Sequence, residues 1–250
     1  MIVIKLLIIV FCGWTMGVII NYLSDTLPVY RRLNYPTCYN CQNRISMIDY
    51  YLGIKCRSCN KSRKIRFWII NGLLCMVILY ESILSSGNSG KLISELIIYS
   101  FLILITVIDI EHHLVLNMVS LVGVIIFGTF GIYSHGWLVT LFGGVTGFGI
   151  MFIFFFFGQV YSRYISKRRG IEVEDGMGFG DVSLSAVCGL LLGWPGVMGG
   201  IFLGIILGGI WSLGMILVAL IRKSENQLLK YIAYAPFITI ATGALWLLRK

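Results

Sequence analysis

Residues 92–108 read LISELIIYSFLILITVI, and the residue that follows them is Asp109. A predominantly apolar run of about 17 to 25 residues can cross a bilayer as an α-helix. Further runs of this kind occur along the chain, so we predict an all-α polytopic membrane protein with about eight transmembrane helices. Their approximate bounds are 2–22, 67–84, 92–108, 117–134, 137–160, 182–197, 199–221 and 231–248. A re-entrant hairpin is the alternative for the sixth and seventh.

The composition supports a membrane protein and argues against a soluble enzyme. Hydrophobic residues make up 58% of the 250 residues and charged residues 12%. The mean hydropathy is +0.88. A soluble domain of this size has about a quarter charged residues. The chain is therefore expected to lie in a lipid bilayer.

The positive charge is concentrated in two segments between apolar runs. The formal net charge is +9, nine of the 20 Lys and Arg residues lie in 31–66, and four more lie in 163–169. Basic loops beside membrane spans stay in the cytoplasm, so this charge predicts orientation. It does not indicate nucleic-acid binding, which would need a basic soluble surface. Both segments are predicted to be cytoplasmic, and the terminal Arg249-Lys250 is the one basic cluster that this orientation leaves outside.

The same pattern predicts three parts of the chain. They are a first transmembrane helix at 1–22, a small cytoplasmic domain at 23–66, and a transmembrane core at 67–250. The second part is too short for a substantial apolar core, and domains of that size usually need a metal ion or disulfides.

Four cysteines in the small domain have the spacing of a metal site. Cys38 and Cys41 form one C-x-x-C pair, and Cys56 and Cys59 form a second. Four thiolates complete a tetrahedral zinc site and leave no open coordination position, so the zinc would be structural. Two disulfides or a redox pair are the alternatives, and a cytoplasmic location argues against disulfides.

Two aspartates lie at the ends of apolar runs and are candidate catalytic residues. Asp109 ends one run, and Asp181 begins another after Gly176, Gly178 and Gly180. Ionisable residues at membrane depth are hypotheses for functional sites by default. The charge pattern predicts both aspartates at the same membrane face, where two adjacent carboxylates share one proton and can act as acid and base. Helix capping or contact with lipid headgroups is the simpler alternative for either residue alone.

These motifs resemble those of the type IV prepilin peptidases along nearly the whole chain. The segment 176–181, GMGFGD, is similar to the second aspartate motif of that family, and Asp109 matches the first. The two C-x-x-C pairs follow the first predicted helix, where the family has them. Asn71 and Ser183 stand where the family often has an acidic residue and a lysine.

The resemblance implies an activity, a substrate and a location. It implies that Asp109 and Asp181 cleave a prepilin or pseudopilin after a glycine, on the cytoplasmic side of its basic leader. It also implies N-methylation of the new N-terminus with S-adenosylmethionine as methyl donor. The expected location is the bacterial inner membrane, with the active site facing the cytoplasm.

Two other functions are compatible with the sequence. A transporter or assembly scaffold could use the aspartates for protons or packing, and the zinc domain for docking. Another intramembrane protease with a G-x-G-D motif would cut helices deeper in the bilayer.

Overall fold

A computed structural model of the chain describes residues 2–84, 89–169, 178–222 and 234–249. These residues contain no strand, and their one isolated β-bridge joins Thr37 to Arg44. The predicted all-α fold is confirmed. The described helices are α1 (Ile2–Tyr30), α2 (Met47–Tyr51), α3 (Ile65–Leu84), α4 (Ser89–His112), α5 (Asn117–His135), α6 (Trp137–Arg169), α7 (Phe179–Leu192), α8 (Gly196–Arg222) and α9 (Ala235–Leu248).

Six of the described helices are long and apolar enough to cross a membrane, namely α1, α3, α4, α5, α6 and α8. The helices α7 and α9 are apolar but have 14 residues each. Such a helix is about 21 Å long, whereas the hydrocarbon core of a bilayer is about 30 Å thick. The eight predicted runs therefore correspond to six helices of spanning length and two shorter ones.

A turn at residues 193–195 separates α7 from α8, which correspond to the sixth and seventh predicted runs. The chain leaves α7 at Gly193, which has a φ of 62°, and its N–H donates to the Gly189 carbonyl at 2.8 Å. Glycine adopts this left-handed conformation without the steric cost that a Cβ would add. The largest differences from the other predicted boundaries are at the ends of α1 and α6, which continue from the predicted residues 22 and 160 to Tyr30 and Arg169.

The chain divides into two compact units, Met1–Ile108 and Asp109–Lys250. In the first unit, α1 packs along α3. An aromatic and aliphatic cluster that includes Val18, Tyr50 and Phe67 joins them to residues 38–59, which we call the cysteine segment. The sequence-based division at residues 22 and 66 stays a prediction.

In the second unit, α7 packs against α5, α6, α8 and α9, and its contacts with glycines of α6 are very close. A Cβ at Gly143 would lie 2.6 Å from the Cα of Gly193, and a Cβ at Gly144 would lie 2.6 Å from a methyl group of Leu190. Small residues allow this approach between apolar helices, as in other membrane proteins. The glycines therefore determine how closely α6 and α7 pack.

Candidate active site and four-cysteine site

Asp181 lies in the first turn of α7 and caps that helix. The N-cap is Gly178, and the Asp181 carboxylate accepts a hydrogen bond from the Gly178 backbone amide. In return, the Asp181 N–H donates to the Gly178 carbonyl at 3.1 Å. A carboxylate at this third helical position satisfies an amide that the helix leaves unpaired, and it is also favoured by the helix dipole. Asp181 is 6% exposed.

Asp109 lies in the last turn of α4 and is equally buried, with 5% exposure. Its carboxylate accepts a hydrogen bond from the Ala235 amide at the start of α9. Its Oδ2 atom is buried and has no hydrogen-bond partner within the part of the chain that the structure describes. The Asp109 carboxylate lies within electrostatic range of the Asp181 carboxylate. The structure therefore brings the two predicted aspartates together within one compact unit.

Two further side chains lie near this pair. His113 follows the end of α4 with a φ of 50° and interacts electrostatically with Asp109. Tyr234, the N-cap of α9, interacts electrostatically with Asp181. The sequence predicted the helix α9 but not that its beginning lies beside the aspartates, because Tyr234 is more than 50 residues from Asp181 along the chain and has no charged group.

The glycines of the predicted motif have different positions. Gly180 packs against Val115, and a Cβ on it would lie 2.6 Å from the Val115 Cβ. Gly178 is the N-cap described above. Gly176 lies outside the described residues. The two described glycines thus serve close packing and helix initiation beside Asp181.

The four predicted metal ligands converge in the first unit. The sulfur atoms of Cys38, Cys41, Cys56 and Cys59 all lie within 4.8 Å of one another. Two of the separations are 3.6 Å and 3.7 Å. Thiolates arranged tetrahedrally at about 2.3 Å from a zinc ion are about 3.8 Å apart. The donor set therefore fits a metal ion with four sulfur ligands.

The two C-x-x-C turns have the same backbone hydrogen bond and the same left-handed residue. The N–H of Gln42 donates to the Cys38 carbonyl at 2.9 Å, and the N–H of Asn60 donates to the Cys56 carbonyl at 2.8 Å. Gln42 and Asn60 have φ values of 56° and 54°. The backbone amides of Cys59 and Ser58 lower the pKa of the Cys56 thiol to about 6. That shift favours the thiolate, which is the form that binds metal.

Polar contacts connect this cysteine segment to the helices of the first unit. Arg66, at the start of α3, donates to the Asp25 carboxylate at 2.5 Å and to the Asn21 side chain at 3.3 Å. The Tyr50 hydroxyl of α2 donates to the other oxygen of Asp25 at 2.8 Å. Three helices of the unit are thereby joined by one hydrogen-bonded network.

The family model described as the type IV leader peptidase family matches residues 96–213. This segment includes Asp109 and Asp181 and ends before α9. Over this segment the chain is similar to the type IV leader peptidases. A prepilin leader peptidase/N-methyltransferase from Aeromonas salmonicida strain A449 is 24% identical over 213 residues, which cover 82% of this chain and 68% of that protein. The protein of the same name from Aeromonas hydrophila has the same identity and coverage. No solved structure matches the chain.

The match to the type IV leader peptidases includes one of the two sites. Both aspartates lie within the matched residues 96–213, whereas the four cysteines precede them. Of the two sites, the aspartate pair is therefore the one that lies within the segment similar to the type IV leader peptidase family.

Proposed function

We propose that this chain is a membrane aspartic endopeptidase that removes the basic leader of type IV prepilin-like proteins, cutting after a glycine at the cytoplasmic membrane face. The observation that supports it most is the electrostatic pairing of two buried carboxylates, Asp109 and Asp181, inside the segment that matches the leader peptidase family. Two relatives, which the chain matches over 68% of their length, are named for this reaction.

Two carboxylates that share one proton can hydrolyse a peptide bond without a covalent intermediate. The ionised carboxylate takes a proton from a water molecule, and the resulting nucleophile attacks the carbonyl carbon of the scissile bond. The protonated carboxylate donates its proton to the carbonyl oxygen, which gives a tetrahedral intermediate. The C–N bond then breaks, the leaving amine takes the proton that the other carboxylate received from water, and the hydroxyl proton of the new carboxylic acid returns to the pair. The pair titrates as a unit, so the proton belongs to both residues.

The surroundings of the pair support this chemistry. The Gly178 amide fixes Asp181, and the Ala235 amide fixes Asp109. Each carboxylate therefore has one donor that orients it. Buried groups held in this way need little reorganisation during the reaction, which is a large part of enzymatic rate enhancement.

The aspartates and the cysteines have separate roles in this proposal. Zinc held by Cys38, Cys41, Cys56 and Cys59 would stabilise the fold of the segment around them. Methylation of the new N-terminus with S-adenosylmethionine is a second proposed activity, because it is included in the names of the relatives. No methyl-transfer residue is assigned.

We place the protein in the bacterial inner membrane, with the basic segments 31–66 and 163–169 on the cytoplasmic side. Their concentration of Lys and Arg supports this orientation. The proposed partners are a prepilin or pseudopilin and the lipid bilayer.

The experiment that tests the proposal is co-expression with a prepilin that has a basic leader, followed by mass spectrometry of the prepilin N-terminus. We expect a shortened and methylated product with the wild-type chain. The variants Asp109→Asn and Asp181→Asn should each leave the prepilin intact, because an amide is neither an acid nor a base at neutral pH. Glu111→Gln is the matched control, because Glu111 is exposed and follows Asp109 by two residues in α4. This variant should cleave the prepilin normally.

The product distribution separates the alternatives. A shortened but unmethylated prepilin would support the peptidase and exclude methylation under those conditions. Cleavage that persists in both aspartate variants would contradict the proposed mechanism.

A further inference from the structure

The C-terminal end of α7, opposite Asp181, is contacted by two side chains from distant parts of the second unit, Arg249 and His135. A helix leaves its last four carbonyl groups without partners in the helix. The Gly193 amide satisfies the Gly189 carbonyl at 2.8 Å, and the Arg249 guanidinium donates to the Leu192 carbonyl. Arg249 follows the end of α9. One residue near the end of the chain thus caps α7.

His135, the last residue of α5, approaches the same helix end. A Cβ on Gly193 would lie 2.5 Å from the imidazole Nε2 atom, so only a glycine leaves space for this ring. Both ring nitrogens of His135 are buried and have no hydrogen-bond partner among the described residues, so the ring contacts this helix end by packing. The Arg249 guanidinium is a cation at a helix C-terminus, where the free carbonyls and the helix dipole stabilise it. The two residues therefore form an anchor for α7, which we call the His135–Arg249 anchor.

The anchor explains an exception in the charge pattern. Arg249-Lys250 is the one basic cluster that the predicted orientation places outside the cytoplasm. Short basic loops normally determine which side of the membrane they occupy. The side chain of Arg249 is instead committed to a backbone carbonyl of another helix. This hydrogen bond holds the cation at the C-terminal end of α7, which is the end that the predicted orientation places outside.

The sides of α7 are held by buried apolar side chains, such as Leu184 and Leu191. The helix also packs closely on glycines of α6, and a Cβ on Gly147 would lie 3.1 Å from the Ser185 carbonyl carbon. The contacts at its C-terminal end add to this packing. Asp181 is about 17 Å from that end at 1.5 Å per residue.

We propose that Arg249, with the His135 ring packed beside it, is a positioning residue that helps to hold the axial position of α7 and thereby the place of Asp181 beside Asp109. This inference rests on the proposed function of the aspartate pair. A displacement of about 1 Å between reacting groups can lower a catalytic rate by about 100-fold. Loss of the anchor should therefore slow the chemical step while substrate binding remains.

The test compares Arg249→Gln and Arg249→Lys with Lys5→Gln, which removes an exposed cation elsewhere. The purified, full-length proteins cleave a prepilin with a basic leader. We expect Arg249→Gln to lower kcat by about 10- to 100-fold with KM within about two-fold of the wild-type value. Arg249→Lys keeps the charge and one donor, so it should recover part of the rate. A wild-type kcat in Arg249→Gln would overturn the inference.

Hydrogen exchange of the same proteins gives a measurement that does not depend on activity. The amides near 189–193 should exchange faster in Arg249→Gln than in the wild-type and Lys5→Gln proteins, because the end of α7 opens more often. If the wild-type chain cleaves no prepilin, the proposed function fails. The exchange rates alone then show whether Arg249 stabilises the end of α7. Equal exchange in the three proteins would then overturn it, and faster exchange in Arg249→Gln would support it.

Discussion

Gly180 shows at the residue scale how a missing side chain can control a neighbouring functional group. It directly precedes Asp181, and a Cβ on it would lie 2.6 Å from the Cβ of Val115. Rotation of a side chain cannot separate these two Cβ atoms, because each Cβ is bonded directly to its Cα. We therefore expect the position of the first turn of α7 to depend on this contact.

Gly180→Ala should accordingly lower kcat for prepilin cleavage by at least about 10-fold, since α7 must move away from Val115. Overpacking of this kind also costs about 1–3 kcal/mol of stability. Steady-state cleavage and thermal unfolding measure the two effects. Gly158→Ala is the control, because nothing lies within 4 Å of its added methyl group. In the double variant with Val115→Gly, part of the lost rate should return, and additive losses would show that the contact is not the cause.

The hydrogen-bonded network of Arg66 belongs to the element scale, because it joins α1, α2 and α3. The Arg66 side chain is 15% exposed and its partner Asp25 is 36% exposed. Arg66→Gln should therefore lower the free energy of unfolding of the first unit by about 2 kcal/mol, as expected for a hydrogen bond to a charged group. Arg32→Gln is the control, because Arg32 is an exposed arginine of the same unit, and we expect little change in stability there. Chemical denaturation in detergent measures the free energy of unfolding of both variants. An equal decrease in the two would show that the network of Arg66 does not contribute specifically to stability.

The four-cysteine site is a second feature of the element scale. The two C-x-x-C turns have no regular secondary structure to hold them together, so a bound ion should supply that connection. We expect about one zinc ion per wild-type chain by elemental analysis, and far less in Cys56→Ser together with a lower unfolding temperature. Cys12→Ser is the control, because this exposed cysteine lies outside the cluster. Normal zinc content in Cys56→Ser would exclude the four-sulfur site.

The elements also show how far hydropathy alone predicts this fold. Apolar runs located all eight apolar helices among the described residues, because burial in lipid requires them. They located some helix ends, such as the beginning of α5 at Asn117 and the end of α9 at Leu248. Other ends differ, since these depend on local backbone conformation. For example, α7 begins at Phe179 with the Gly178 cap and ends at Leu192 before Gly193, whereas the run had predicted 182–197. The short lengths of α7 and α9 follow from these ends.

At the scale of the whole molecule, the sequence predicted groups that have distinctive chemistry and missed those that have none. Asp109, Asp181 and the four cysteines were identifiable because such residues are rare in apolar sequence or have metal-site spacing. Ala235 and Tyr234 were not, because their contacts with the aspartates depend on how α9 packs. Tertiary packing of this kind leaves no local pattern in a single sequence.

The orientation of the chain is the remaining property of the whole molecule that an experiment can determine directly. The predicted arrangement places the end of α5 outside and the cysteine segment inside, so the aspartate pair would face the cytoplasm. In a Cys12→Ser background, Tyr133→Cys should react with a membrane-impermeant maleimide in intact bacteria, because Tyr133 is 92% exposed. Lys61→Cys, also at an exposed position, should react only after the cells are permeabilised. The opposite pattern would place Asp109 and Asp181 at the outer face and would exclude cleavage on the cytoplasmic side of the membrane.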